Sequence, residues 1–432
     1  MWTLPIFFKC DFRYYTYMST TTSSTLDNGL LVIVNENSAS SAIALQLVVR
    51  AGSAYEKEDE QGYAHILEHM LLKGTTRRPT SYDIGLEIDR IGAYSNASTA
   101  YEAAWFILEA ASRHAEKLFD VMADNILNAT LDARVLENEK KVILGEFRQR
   151  DNMLIRKCLM RGLAHYANNH PIARDPLGVE GQVLQANPDA LRSYKEKYYV
   201  PANCALIISG AIDNNRASQL AEKYFGLWSH ASAPDRSLPP PQFIHGGSDF
   251  LEHPADTTYL TLYYGIERAA SLQEYAALDL IVSLLGYGYT SLILNELRNK
   301  RGLIYSSGTN ARYYSNATVI TIGTNSSEPE AAVQAIDEIV QNLEKRLSDS
   351  EIANLKVQVN GIIERQISNS EYVTRTLQQQ FVQFGSIITP EDYLKMLADL
   401  PPDFVRSTCR LFFNPQKMFT FALGKKALVV QA

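Results

Sequence analysis

Ala233-Pro-Asp-Arg-Ser-Leu-Pro-Pro-Pro241, with a Gly246-Gly247 pair five residues on, stands almost at the midpoint of a 432-residue chain. Each proline fixes φ and removes a backbone donor, so the stretch resists helix and central strand alike and suits an exposed connector. Outward from it, the two flanks show the same order of patterns. On the N-terminal side residues 30–34 and 42–51 read as strands, 62–72 as a helix, 92–109 as strand, and 111–128 and 132–151 as long helices. On the C-terminal side 257–264 reads as strand, 272–285 and 291–300 as helices, 305–324 as strand, and 328–347 and 350–367 as helices. A short echo, Tyr94-Ser-Asn-Ala-Ser-Thr99 against Tyr314-Ser-Asn-Ala-Thr318, falls in the second strand region of each flank and points to duplication. The expected fold is α+β: two tandem homologous domains, each a mostly antiparallel sheet covered by helices on one face. Residues 20–232 and 248–432 are the expected domains, and 233–247 the linker.

Composition narrows the function. With 46% hydrophobic and 21% charged residues and a mean hydropathy of -0.16, the chain can bury a large core. It has no apolar run of about 20 residues, so no membrane span is expected. A net charge of -7 gives no global attraction for a polyanion, and nucleic acid is excluded as a partner on that ground. Cys10, Cys158, Cys204 and Cys409 form no C-x-x-C pair, which suggests neither a disulfide framework nor a thiolate zinc site and fits a reducing compartment. Residues 1–18 make a poor secretory signal, with no basic start and no small-residue cleavage site. Organellar targeting, or initiation at Met18, remain open for that segment. A cytoplasmic location is expected, with periplasm and mitochondrial matrix as alternatives.

Chemistry concentrates in Gly62-Tyr-Ala-His-Ile-Leu-Glu-His-Met-Leu-Leu-Lys-Gly74, which contains His65-x-x-Glu68-His69. Residues four apart share a helix face, so both imidazoles can reach one ion with Glu68 beside them. Two imidazoles and an oxygen ligand suit zinc, leaving a fourth position for water, whose pKa falls to about 7 on the metal. Glu68 is then placed to take the water's proton, while Ile66, Leu67, Met70 and Leu71 anchor the helix. A third ligand is offered by Leu136-Glu-Asn-Glu-Lys-Lys-Val-Ile-Leu-Gly-Glu146, in which Glu139 and Glu146 stand seven apart. Two helical turns put both carboxylates on one face, with Val142, Ile143 and Phe147 expected to pack below; one carboxylate can ligate and the other support it.

The order His65-x-x-Glu68-His69, then Glu146 77 residues after His69 with Glu139 seven before it, resembles the inverted-zincin pattern of the M16 family: pitrilysin, insulin-degrading enzyme and mitochondrial processing peptidase. The words Lys73-Gly-Thr75 and Asn96-Ala97-Ser98-Thr99 resemble it too, and the likeness runs from Leu26 to the C-terminus, in the manner of a small M16B-type subunit. The resemblance implies a zinc metalloendopeptidase. It implies zinc held by His65, His69 and Glu146, Glu68 as general base, Glu139 as support, and peptides as substrates. Leu297-Arg298-Asn-Lys-Arg-Gly-Leu-Ile-Tyr305 resembles the family's Arg/Tyr pair. By that likeness Arg298 grips a peptide carbonyl or carboxylate and Tyr305 donates to the developing oxyanion. The strand with Asn96 and Ala97 resembles the family's exposed edge, onto which an extended peptide adds.

The second half departs from the motif: Leu285-Gly-Tyr-Gly-Tyr-Thr290 stands where an H-x-x-E-H would be expected, so one zinc site per chain is anticipated. The family's largest members join two units of this length around a closed chamber. A chain of this size is therefore expected to dimerise, as a homodimer or with a related subunit, and to bring Arg298 and Tyr305 opposite a partner's zinc. A non-catalytic peptide-binding subunit is the main alternative. A small-molecule lyase with similar zinc chemistry is a weaker one, since it requires a nearby cysteine that the motif lacks.

Overall fold

In the computed structural model, described over residues 19–428, eleven strands form two sheets. Cys10 and the 1–18 segment lie outside the described residues. The first sheet is built from β1 (Ser19–Thr25), β2 (Leu31–Asn37), β3 (Ala42–Val49), β4 (Tyr94–Thr99), β5 (Ala104–Ala111) and β6 (Cys204–Gly210), in the order β1-β2-β6-β3-β5-β4. The second is built from β7 (Ser248–Glu252), β8 (Thr258–Ile266), β9 (Ser307–Tyr314), β10 (Ala317–Ser326) and β11 (Phe419–Gly424), in the order β7-β11-β8-β10-β9. Only β2–β6 and β7–β11 are parallel; every other pair is antiparallel. Leaving β1 aside, the two orders and pairing senses coincide strand for strand: β2 with β7, β3 with β8, β4 with β9, β5 with β10 and β6 with β11. The expected two-domain α/β architecture is therefore present, and the topology itself carries the signature of duplication.

The short sequence echo does not. Tyr94 opens β4, whereas Tyr314 closes β9 and leads into the β9–β10 turn, so the two words occupy different places in equivalent hairpins. Residues 92–109 likewise split into β4 and β5 around a turn, and the helix expected over 328–347 breaks at Asn342. Residues 229–247 contain neither helix nor strand, as the prolines require. They are nonetheless held: Phe243 is buried against Tyr166, and Pro239 O accepts from Asn316 Nδ2 at 2.6 Å.

Side chains alternate across each sheet with period two. Leu45, Leu47 and Val49 of β3 enter one core with Leu206 and Ile208 of β6, roofed by helices that include α1 (Tyr63–Leu71), Pro188–Tyr198 and Asn214–Phe225. In the same layer α2 (Ser81–Arg90) and α3 (Ala115–Asn128) follow, and then α4 (Ala133–Asn152), whereas α5 (Leu154–Tyr166), next in the chain, leaves it. The second sheet sets Leu260, Leu262, Ile320 and Ile322 against the helices Leu272–Gly286, Pro329–Gln341 and Pro402–Phe412. Each half thus roofs one face of its own sheet.

The opposite faces are covered reciprocally. Helix α5, from the first half, lays Cys158, Leu163 and Tyr166 on Tyr263, Val319 and Phe421 of the second sheet. Gly162 is required for this approach, because a Cβ there would meet Tyr263 Oη at 2.5 Å and Phe421 Cβ at 2.7 Å. The equivalent helix of the second half, Ser370–Phe384, lays Val373, Leu377 and Phe381 on Ile33, Val48, Ala205 and Ile207 of the first sheet. Arg50 of the first half sits 3.9 Å above the Phe381 ring and donates to Phe381 O, a contact in which the cation is stabilised by the ring face.

Candidate metal centre

The helix that carries the motif begins at a position only glycine tolerates. Gly62 has φ +109°, and a Cβ on it would lie 2.8 Å from Val183 Cγ2. The orphan N–H groups of this first turn are satisfied from outside the helix: Gly62 N and Ala64 N donate to the two carboxylate oxygens of Glu56 at 2.9 and 2.8 Å. Burial pushes the Glu56 carboxyl up to about 7, against the pull of those two backbone donors. Ile66, Leu67, Met70 and Leu71 fill the core below, as expected, and leave His65, Glu68 and His69 on the upper face.

Those three side chains bring metal-capable atoms within 4.8 Å of one another. Glu146, from the second turn of α4 counted back from its C-terminus, comes up beside both rings: His65 Nε2 lies 3.4 Å from Oε2, and His69 Nε2 lies 3.7 Å from Oε1. These separations are long for hydrogen bonds. Atoms held at 2.0–2.2 Å by a tetrahedral zinc are roughly 3.3–3.6 Å apart; the His65–Glu146 separation falls in that range and the His69–Glu146 separation just beyond it. Burial, with His69 and Arg156 nearby, drives His65 down to about 3, so its imidazole is neutral near pH 7, the form that ligates metal. His65 Nδ1 is buried without a hydrogen-bond partner among the described residues.

Glu139 supports the site from behind. Its Oε2 lies 3.0 Å from His69 Nδ1, which fixes the ring and leaves Nε2 free to ligate, and its Oε1 lies 3.0 Å from Lys73 Nζ. Glu68 accepts a 2.7 Å hydrogen bond from Thr99 Oγ1 of β4. Burial raises the Glu68 carboxyl above the ordinary range, and the Thr99 hydroxyl pulls it back. Sequence reasoning missed both Lys73 and Thr99. Lys73 stands four residues after His69, and Thr99 closes the Asn96–Thr99 word, so each lay inside a segment already singled out. Of the residues expected under Glu139 and Glu146, Ile143 and Phe147 are buried, but Val142 is half-exposed, since it falls on the outer side of α4.

The centre opens into a cleft of about 370 Å³ walled by Ala97, Ser98 and Thr99 on one side and by Gln149, Met153 and Arg156 on the other. Strand β4 is indeed the sheet's edge. Ala97 lines the cleft; Asn96 does not, and its side chain instead binds Tyr94 Oη and Ala97 N, both at 2.9 Å. Arg298, in the π-helix Leu294–Lys300, stacks its guanidinium 5.0 Å from the Tyr305 ring centre. Tyr305 is 76% exposed, and neither residue lines the cleft of its own chain. No described helix is long and apolar enough to cross a membrane.

A pair of duplicated α/β halves with a His-x-x-Glu-His cluster under the edge of the first sheet is the fold and motif of a peptidase family, and the chain belongs to the M16 peptidase (insulinase) superfamily. Residues 31–175 match the family described as insulinase (peptidase family M16), and residues 185–359 the peptidase M16 inactive domain. Among relatives, a protein of Rickettsia felis described as an uncharacterized zinc protease is 25% identical over 393 residues, covering 90% of this chain and 94% of that protein. The beta subunit of the mitochondrial-processing peptidase of Caenorhabditis elegans is 24% identical over 95% of this chain and 91% of its own length. The crystal structure of a protease from Helicobacter pylori has the same fold, with a TM-score of 0.86 at 20% identity over 94% of this chain and 100% of that one.

Proposed function

We propose that the chain is a zinc-dependent endopeptidase that hydrolyses unfolded peptides, with residues 20–232 as its catalytic domain and 248–432 as a substrate-binding domain without a metal. The observation that carries this reading is the pairing of the His65 and His69 Nε2 atoms with Glu146 at 3.4 and 3.7 Å, next to a buried Glu68. His65, His69 and Glu146 would hold the ion, and Glu139 would keep the His69 ring turned toward it. Bound zinc supplies a Lewis acid that acidifies water and polarises a peptide carbonyl. Glu68, aimed by Thr99, takes the proton from the attacking water and passes it to the leaving amine. An extended peptide would pair with the free edge of β4, where Ala97 and Ser98 allow close approach and the backbone supplies contacts that tolerate many sequences.

Incubating the zinc-loaded chain with a quenched peptide library, with and without chelator, tests the proposal. Cleavage abolished by chelator and restored by zinc is expected. Glu68→Gln should retain one zinc per chain and lose about 10²- to 10⁴-fold in turnover, whereas His65→Ala should lose metal as well. Absence of bound zinc after exposure to excess metal would sink the reading.

A dependence on a second chain is favoured by one observation: Arg298 and Tyr305 are exposed and do not line their own cleft. In a twofold dimer, or with a related subunit, they would complete the partner's site. Mixing Glu68→Gln chains with Arg298→Ala chains should then restore part of the activity, and an absence of rescue would leave each site to its own chain.

A further inference from the structure

The duplication places a second cavity where the metal cleft has its counterpart. Helix α1 corresponds to Leu272–Gly286, α4 to Asp349–Gln366, β4 to β9 and α5 to Ser370–Phe384. These four equivalents, with the helix Pro390–Asp399, line a cavity of about 380 Å³. On α1 the ring pair His65 and His69 stands four residues apart; on its counterpart Asp279 and Ser283 stand four apart and line the cavity, so the motif's place is within this helix and not at Leu285–Thr290, most of which lies beyond its end. Where α4 offers Glu146, the counterpart helix offers Ile362 and Ile363. The metal chemistry has gone from this half, but the hollow persists.

Its wall is chemically lopsided. Tyr275, Tyr372, Tyr393 and the isoleucines make it apolar and aromatic, and Asp279 is the one carboxylate among its lining residues. Asp279 accepts a hydrogen bond from Tyr393 Oη, and no cation pairs with it among the described residues. Arg375, on the rim, is exposed and committed to Glu371 at 2.9 Å. Leaving a carboxylate without a counter-ion in an apolar chamber costs stability, which a cationic ligand would recover. Burial holds the Asp279 carboxyl up at about 6, as expected of a carboxylate whose counter-ion is missing.

We propose that this cavity is a binding site for an alkylammonium group on an apolar stem, with the ammonium against Asp279 and the stem between the tyrosines and isoleucines. An ammonium supplies the charge that Asp279 lacks and donors for its remaining lone pairs, and tyrosine faces attract a cation. An anionic ligand would face Asp279 unpaired, and a wholly apolar one would leave its charge uncompensated. The inference stands apart from the peptidase reading, since it uses none of the metal-site residues.

Calorimetric titration of the full chain with hexylammonium, Nα-acetyl-lysine amide and 1-hexanol tests it. Hexylammonium is expected to bind at least tenfold more tightly than 1-hexanol, and Asp279→Asn, which keeps an acceptor for Tyr393, should abolish that preference while leaving the alcohol's binding unchanged. If the lysine amide binds as well as hexylammonium, the site takes a peptide's lysine side chain; if only hexylammonium binds, it takes a small free amine. Equal affinity for alcohol and ammonium, no saturable binding of either cation, or an unaltered preference in Asp279→Asn overturns the proposal. The cation-against-alcohol comparison on the unaltered chain decides the matter even if the variant fails to fold.

Discussion

Thr99 shows how much of the centre rests on single hydroxyls and charges around the motif. Its hydrogen bond favours the ionised form of Glu68 against burial, which favours the protonated form. Thr99→Val removes the favourable half of that balance, so Glu68 keeps its proton to higher pH. The acidic limb of kcat/KM is expected to move to higher pH, with the alkaline limb in place; an unmoved acidic limb in a pH–rate profile would show that the hydroxyl does not tune the base. Glu139 touches His69 and Lys73 and does not line the cleft. Glu139→Gln cannot accept and neutralise as the carboxylate does between His69 and Lys73, and should weaken zinc affinity about 10- to 100-fold, measured by competition with a chromophoric chelator. The His65/Glu68/His69 cluster was legible because its three members share a single turn and a half of one helix. Glu146 was legible only through its spacing and the family resemblance, and Thr99 and Lys73 were not, because partners across a strand and a loop leave no periodic trace.

Elements whose neighbours are close in sequence were easy to read, and those that close the sheets were not. Strands β2 and β3 announce themselves as apolar runs flanking a polar turn, whereas β6 and β11 are short apolar runs, buried throughout, that pattern alone cannot tell from helix. Each pairs with strands far away in sequence: β6 inserts between β2 and β3, more than 150 residues earlier, and β11 between β7 and β8. The start of α1 depends equally on non-local contacts, since both Glu56 and Val183 bear on Gly62. Gly62→Ala would place a side chain at φ +109° and into Val183, at a cost of about 1–3 kcal/mol. A lowered urea midpoint and weaker zinc retention are expected together; a change in one without the other would separate helix stability from metal affinity.

At the scale of the whole molecule the reciprocal helices bind the halves more tightly than a linker could. Leu377, fully buried between the second half's helix and the first half's sheet, is expected to cost about 2–5 kcal/mol on replacement by alanine. Because that helix roofs the first sheet, Leu377→Ala should lower the zinc-bound chain's single melting transition without splitting it in two. A separate early transition in calorimetry would mean that the halves unfold independently. The same exchange has a bearing on descent. A polypeptide of half this length, folded as either sheet, could shelter its second face only by lending its own helix to a twin and borrowing one back. Duplication followed by fusion would then have joined two molecules already interlocked, freeing one of them to lose the His-x-x-Glu-His cluster while the other kept it.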